Sequence, residues 1–254
     1  MQKAFAAHIV RSLKICVTSA FIFGAFMKIY NPIKDLSKFE MLLWLTSIAV
    51  ISTSFIITDS VDILTIIASI IGVTALIFVA KGYVIGQILT IVFGLFYGIV
   101  SFYFRYYGEM ITYLGMTAPS AVAAVISWIK HPYKETKEVE VNKLNSKQIV
   151  MLILLTVVVT ALFGYVLLLL NNANLFVSTI SIATSFAASY LTFYRSPYYA
   201  VAYALNDVVL IVLWILAAID NSSYFPMVLC FIMFLVNDLY GFYSWQRMKQ
   251  KQSN

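Results

Sequence analysis

Two Asn-Asp dipeptides, Asn206-Asp207 and Asn237-Asp238, lie inside long apolar runs in the last fifth of the chain. An ionisable side chain in hydrocarbon is costly and marks a functional site by default. The plainer reading is that the two pairs only fix helix packing. An amide beside a carboxyl offers both donors and acceptors, which suits ribose hydroxyls or a carboxamide. If a proton loads onto Asp207 or Asp238, the same groups suit a proton-coupled step.

Further polar and aromatic residues fall on single helical faces. Asn237, Tyr240, Gly241 and Ser244 follow i, i+3, i+4, i+7 spacing, as do Tyr199, Tyr203, Asn206 and Leu210, with Asp207 adjoining. Tyr83, Gln87, Thr90, Gly94, Tyr97 and Ser101 form a third stripe, and Ser178, Ser181, Ser185 and Thr192 a weaker fourth. A stripe of small residues alone is a packing seam. Amides, phenols and carboxyls converging from several helices point to a ligand, with Tyr199, Tyr203 and Tyr240 offering ring faces for stacking. The expected substrate-binding set is Gln87, Tyr97, Tyr199, Tyr203, Asn206, Asp207, Asn237 and Tyr240.

The elements that hold these residues follow from composition. The 254 residues are 62% hydrophobic and 11% charged, and the mean hydropathy is +0.90. A soluble domain has about a quarter charged residues, so the fold class is all-α, a polytopic membrane protein. With about 20 apolar residues needed per crossing, spans are expected at 40–57, 63–80, 83–104, 108–129, 147–171, 174–192, 197–219 and 224–247. The runs lack the alternation of a membrane β-barrel. Residues 15–27 are apolar over a shorter stretch behind Arg11 and Lys14. They fit an interfacial amphipathic helix, with a membrane-spanning helix at 8–28 as the alternative; the segment has no convincing cleavage site and is expected to be retained.

Charge placement orients the chain. With the tail bearing Arg247, Lys249 and Lys251 in the cytoplasm, Lys28, Lys34, Lys38, Lys81, Lys130, Lys134, Lys137, Lys143, Lys147 and Arg195 fall on the same side, and Arg105 lies outside. The net charge of +6 therefore reflects topology, and nucleic acid is not an expected partner; the lipid bilayer and a small molecule are. The polar loop 130–146 divides the spans into three helices, a linker helix and three more. The odd linker leaves the two triplets in one orientation, a 3+1+3 parallel-repeat core of seven helices plus one or two N-terminal helices. The expected divisions are 1–58, 59–129, 130–171 and 172–254. Ser127-Trp128 and Ser244-Trp245 end the two triplets as a faint internal echo. At 1.5 Å per residue, Asp207 and Asp238 both come out roughly 14–15 Å deep, near the midplane where carriers hold substrate.

The segment VAKGYVIGQILTIVFGLFYG at 79–98, Tyr107-Gly108-Glu109, the stretch from Pro119 to Trp128 and NDLYGFYSWQRMK at 237–249 together resemble the PnuC family of bacterial vitamin and nucleoside transporters over roughly residues 60–250. The resemblance implies a SWEET-like fold in the bacterial inner membrane. It also implies facilitated diffusion of a nucleoside-like precursor that cytoplasmic phosphorylation traps, and suggests a homotrimer. Nicotinamide riboside is the best-known family substrate; relatives take thiamine, riboflavin or deoxynucleosides. Two departures bear on the ligand. The family's Trp-x-x-Trp-x-x-x-Asn pattern is here Tyr199, Ala202 and Asn206, and its Pro-x-Gln followed by Gly-Trp-x-x-Trp becomes Pro119, Ala121, Ala124, Val125 and Trp128. A different ring system, such as a nucleobase, is consistent with that loss.

No His or Cys spacing supports a metal, no cofactor is expected, and Cys16 and Cys230 read as small hydrophobes. Pro119 falls within a span and should kink it. No Walker motif or nucleophilic constellation points to an ATP-driven pump or an enzyme.

Overall fold

The computed structural model describes residues 31–58, 63–103, 107–172 and 174–253. Segment 8–28, Asp59, Asp62 and Arg105 lie outside the described residues, and with them the choice between an interfacial and a spanning first helix. The described residues fall into two units, divided between Leu42 and Leu43. In the first, Asn31 caps a 3-10 turn at Pro32–Asp35. Ser37 and Glu40 then close a reciprocal capping box: Ser37 N–H donates to the Glu40 carboxylate at 2.6 Å and Glu40 N–H to Ser37 Oγ at 3.2 Å. Helix α1 (Lys38–Ile57) starts there.

The remaining helices are α2 (Ile63–Ala80), α3 (Val84–Tyr103), α4, α5 (Ser146–Leu169), α6 (Leu175–Phe193), α7 (Tyr199–Asp220) and α8 (Phe225–Ser253). Helix α4 is composite. It runs Tyr107–Thr112, loosens into a π-helical turn at Tyr113–Thr117 and continues as Ala118–Lys130. Pro119, second in the last segment, has no N–H to give the preceding turn, which accounts for the looser turn ahead of it. Among the described residues seven helical stretches are long and apolar enough to cross a membrane, and α3 adds a shorter apolar stretch, Val84–Ile99. The chain is a multi-pass membrane protein. Among the described residues there is no strand, only two isolated bridges, Tyr83 to Glu138 and Pro132 to Val139.

The neighbours are α2 with α3, α3 with α4, α4 with α6, α6 with α7, α7 with α8, and α8 back to α2. Six helices thus close a ring. Helix α5 packs on α6 and leaves most of its apolar side chains exposed, Val150, Val157 and Leu162 among them, as a lipid-facing helix must.

The two triplets cross-link at one end, the end that carries Lys81, Lys130, Arg195 and Arg247. Trp128, closing α4, donates its indole N–H to the Thr192 carbonyl of α6 at 2.9 Å. Trp245 on α8 donates to the Val79 carbonyl of α2 at 2.8 Å. Each tryptophan therefore bonds the first helix of the other triplet, and the two rings meet at 5.5 Å. Both are buried, so an indole N–H there requires a partner. The hairpins below repeat the pattern. Gly82 (φ 66°) ends α2 and Arg195 (φ 57°) ends α6, both left-handed, with matching bonds from Gly82 N–H to Val79 (2.9 Å) and Arg195 N–H to Thr192 (3.0 Å). The left-handed strain at Arg195 is offset by its guanidinium, which donates to the Glu140 carbonyl at 3.1 Å and to Ser127 Oγ at 2.8 Å.

The loop between α4 and α5 is bonded to both hairpins. Val139 N–H donates to the Gly82 carbonyl at 2.9 Å and Asn142 N–H to the Arg195 carbonyl at 3.0 Å. The Val139 side chain is buried in one cluster with Trp128, Tyr199 and Trp245. Gln252 on α8 secures the strap from below, accepting from Val141 N–H at 2.7 Å and donating to the Val139 carbonyl at 3.0 Å. An ion pair joins Lys251 to Glu138 at 3.2 Å.

Candidate functional site

The ring of six helices encloses a cavity of about 460 Å³. It reaches the surface beside Asn171, Asn174 and Asp220, all exposed, and ends toward the cross-linked tryptophans at Val79, Gln87 and Tyr199, all buried. Tyr199 forms the floor: its ring lies 4.9 Å from Trp245. Gly241 makes room for it, since a Cβ there would come within 3.0 Å of the Tyr199 hydroxyl.

One wall is polar. From α7 come Tyr203, Asn206 and Asp207, from α3 Gln87 and Thr90, and from α8 Asp238. The Asn206 carbonyl oxygen accepts from Ser181 Oγ at 3.0 Å and Thr184 Oγ1 at 2.9 Å. That fixes the amide, and its nitrogen has no partner among the described residues. Gln87 is 3% exposed, and neither of its amide atoms has a partner among the described residues. Asp207 and Asp238 are each 3% exposed and lie against each other between α7 and α8.

Aromatic rings line the same cavity. Phe93 on α3 lies edge-on to Tyr113 on α4 at 5.7 Å and to Phe234 on α8 at 6.0 Å, and Phe231 continues the wall. Tyr113 and Thr117 reach the cavity from the two ends of the π turn, a feature common at functional sites.

The structure brings Gln87, Tyr199, Tyr203, Asn206 and Asp207 to the cavity. It places the other three elsewhere. Tyr97 packs behind the aromatic wall, 4.5 Å from the Tyr113 ring. Asn237 turns toward α1 and donates to Ser47 Oγ at 2.9 Å and to the Met233 carbonyl at 2.7 Å. Tyr240 is half-buried beside Tyr243. The cavity-facing stripe of α8 is Phe231, Phe234 and Asp238, an i, i+3, i+7 set. Phe93, Tyr113, Phe231 and Phe234 were missed because phenylalanine in an apolar run is indistinguishable from a lipid-facing or packing residue. Among the described residues no group of three or more His, Cys, Asp or Glu could hold a metal.

A water-reachable cavity with polar and aromatic walls, set inside a ring of membrane-spanning helices, defines a solute carrier. The chain belongs to the nicotinamide mononucleotide transporter family, whose model matches residues 62–247, so it is a transporter and not an enzyme. It is 26% identical over 192 residues to the nicotinamide riboside transporter PnuC of Neisseria mucosa, a match covering 74% of this chain and 73% of that protein. Its fold is that of the crystal structure of the vitamin B3 transporter PnuC, with a TM-score of 0.73 at 24% identity over 85% of this chain and 94% of the other.

Proposed function

We propose that the chain mediates facilitated uptake of nicotinamide riboside, or a related nucleoside-like vitamin precursor, across the bacterial inner membrane, and that cytoplasmic phosphorylation then traps it. The observation that carries this reading is the lining of the cavity: amides, phenols and carboxyls share it with aromatic rings, with no Lys, Arg or His among the described lining residues. A ribose and a planar ring find partners there. A phosphate finds no counter-charge and meets two carboxyls, so the unphosphorylated nucleoside is favoured over the mononucleotide. The name of the Neisseria mucosa relative supports the same ligand. The end bearing Lys81, Lys130, Arg195 and Arg247 is taken as cytoplasmic by the positive-inside rule, so the cavity opens outward.

Reconstituted liposomes test this directly. Labelled nicotinamide riboside should equilibrate across the membrane and the mononucleotide should stay out, with thiamine, riboflavin and deoxynucleosides as competitors. A passive carrier never concentrates its substrate. Accumulation above the external concentration, driven by an imposed pH gradient and abolished by an uncoupler, would replace the passive reading with a proton-coupled one through Asp207 or Asp238.

A further inference from the structure

The Asp207 and Asp238 carboxyls present more acceptor capacity than a neutral nucleoside requires. Gln87 and Asn206 already offer unpartnered amide groups to a ribose or a carboxamide. Two further carboxyls, each 97% removed from solvent and in mutual contact, add acidity. Asp207 Oδ2 is buried with no hydrogen-bond partner, although it belongs to a residue lining the cavity. Buried carboxyls are normally compensated by a paired cation or by several N–H donors. Here the surroundings supply neither. The ionisable neighbours are Tyr199 and Tyr203 on α7 and Cys230 on α8, and the described lining from α2, α3, α4 and α6 carries no charged side chain. The rings of Phe93, Tyr113 and Phe234 line the same cavity. Phe234 is one helical turn from Asp238 on the same face of α8, and aromatic faces attract cations.

We infer that the Asp207–Asp238 pair sets the charge class of the ligand: the cavity takes a flat heterocycle whose ring carries a delocalised positive charge and discriminates against a neutral ring of the same outline. A cationic ring lodged among the carboxyls and the aromatic rings is favoured by both, and it supplies the compensation that the protein withholds. This deepens the carrier reading above and rests on it for the position of the ligand. Among the candidate precursors it favours the pyridinium of nicotinamide riboside and the thiazolium of thiamine over riboflavin and deoxynucleosides.

The experiment is a calorimetric titration of the purified protein in nanodiscs with nicotinamide riboside and with its 1,4-dihydro form, which differ by one hydride and one charge. The oxidised, cationic form should bind about ten- to a hundredfold more tightly, the usual span for a hydrogen bond to a charged group. Asp207→Asn and Asp238→Asn should each shrink that ratio toward one, with a melting transition like that of the parent showing that the variants are folded. Equal affinity of the wild-type protein for the two forms, or an undiminished ratio in both variants, overturns the inference. Should neither form bind, thiamine and a deoxynucleoside separate the two readings. Thiamine binding that Asp207→Asn weakens keeps the charge assignment and removes nicotinamide riboside, whereas binding of the deoxynucleoside alone removes both.

Discussion

The Asn206 and Asn237 side chains are the same group in the same sequence context, and the fold gives them opposite duties. Asn206 is held by Ser181 and Thr184 with its nitrogen toward the cavity, whereas Asn237 ties α8 to Ser47 of α1. Asn206→Ala should therefore weaken ligand binding roughly five- to a hundredfold, the loss of one good buried hydrogen bond. Asn237→Ala should leave affinity within about twofold and destabilise the fold by about 1 kcal/mol, read as a lower melting temperature. A melt and a titration on the same preparations check both. Nothing local distinguishes the two dipeptides beforehand. Adjacent helical residues point about 100° apart, so the two members of an Asn-Asp pair aim in different directions, and only the neighbouring helices decide whether one or both meet the cavity. In α7 both residues reach it; in α8 only Asp238 does.

Helix limits were legible because a membrane span is defined by length and apolarity alone. The expected 63–80 is α2 to the residue, and the expected 174–192 and 224–247 differ from α6 and α8 chiefly at their ends. Pro119 announced an irregularity in α4, but the π turn lies ahead of it at Tyr113–Thr117, where the missing N–H is felt. The Ser-Trp echo had no visible purpose in the sequence, since indole-to-carbonyl bonds join residues more than sixty positions apart. Those bonds seal the buried end of the cavity. Trp245→Phe keeps a ring but removes the donor that Val79 receives, so the seal should loosen and the closed-end population fall. A cysteine placed at Ala200, fully buried beside Tyr199, should then react with a membrane-impermeant thiol reagent added at the end bearing Arg195, at least about fivefold faster than in the parent, the change expected for loss of roughly 1 kcal/mol. An unchanged rate would show that the indole bond does not hold that end shut.

For the molecule as a whole, the single linker helix between them implied two like-oriented triplets. The paired bonds of Trp128 and Trp245, with the matching hairpins at Gly82 and Arg195, bring the equivalent ends of both triplets together in the structure. What composition could not supply was the cavity itself, because enclosure depends on which of six helices are neighbours. The proposed orientation has a direct check. Single cysteines at Lys137 and Ser222 should be labelled only from the inside and only from the outside, respectively, of right-side-out vesicles, and reversed labelling would invert the direction assigned to the cavity.

The strap from Glu138 to Asn142 gives the carrier one more property. Its backbone is bonded to the Gly82 carbonyl of one repeat and the Arg195 carbonyl of the other, so it works as a tie-rod between them. If one repeat swings while its twin stays, the rod is strained and its bonds break, which disfavours half-open pores through which protons or ions could leak. Such tightness matters in a membrane that stores energy as a voltage, where a resting short circuit would cost the cell more than the imported solute is worth. Inserting two glycines after Glu140 should slacken the rod, and liposomes holding that variant should dissipate an imposed proton gradient faster than the parent while still equilibrating substrate.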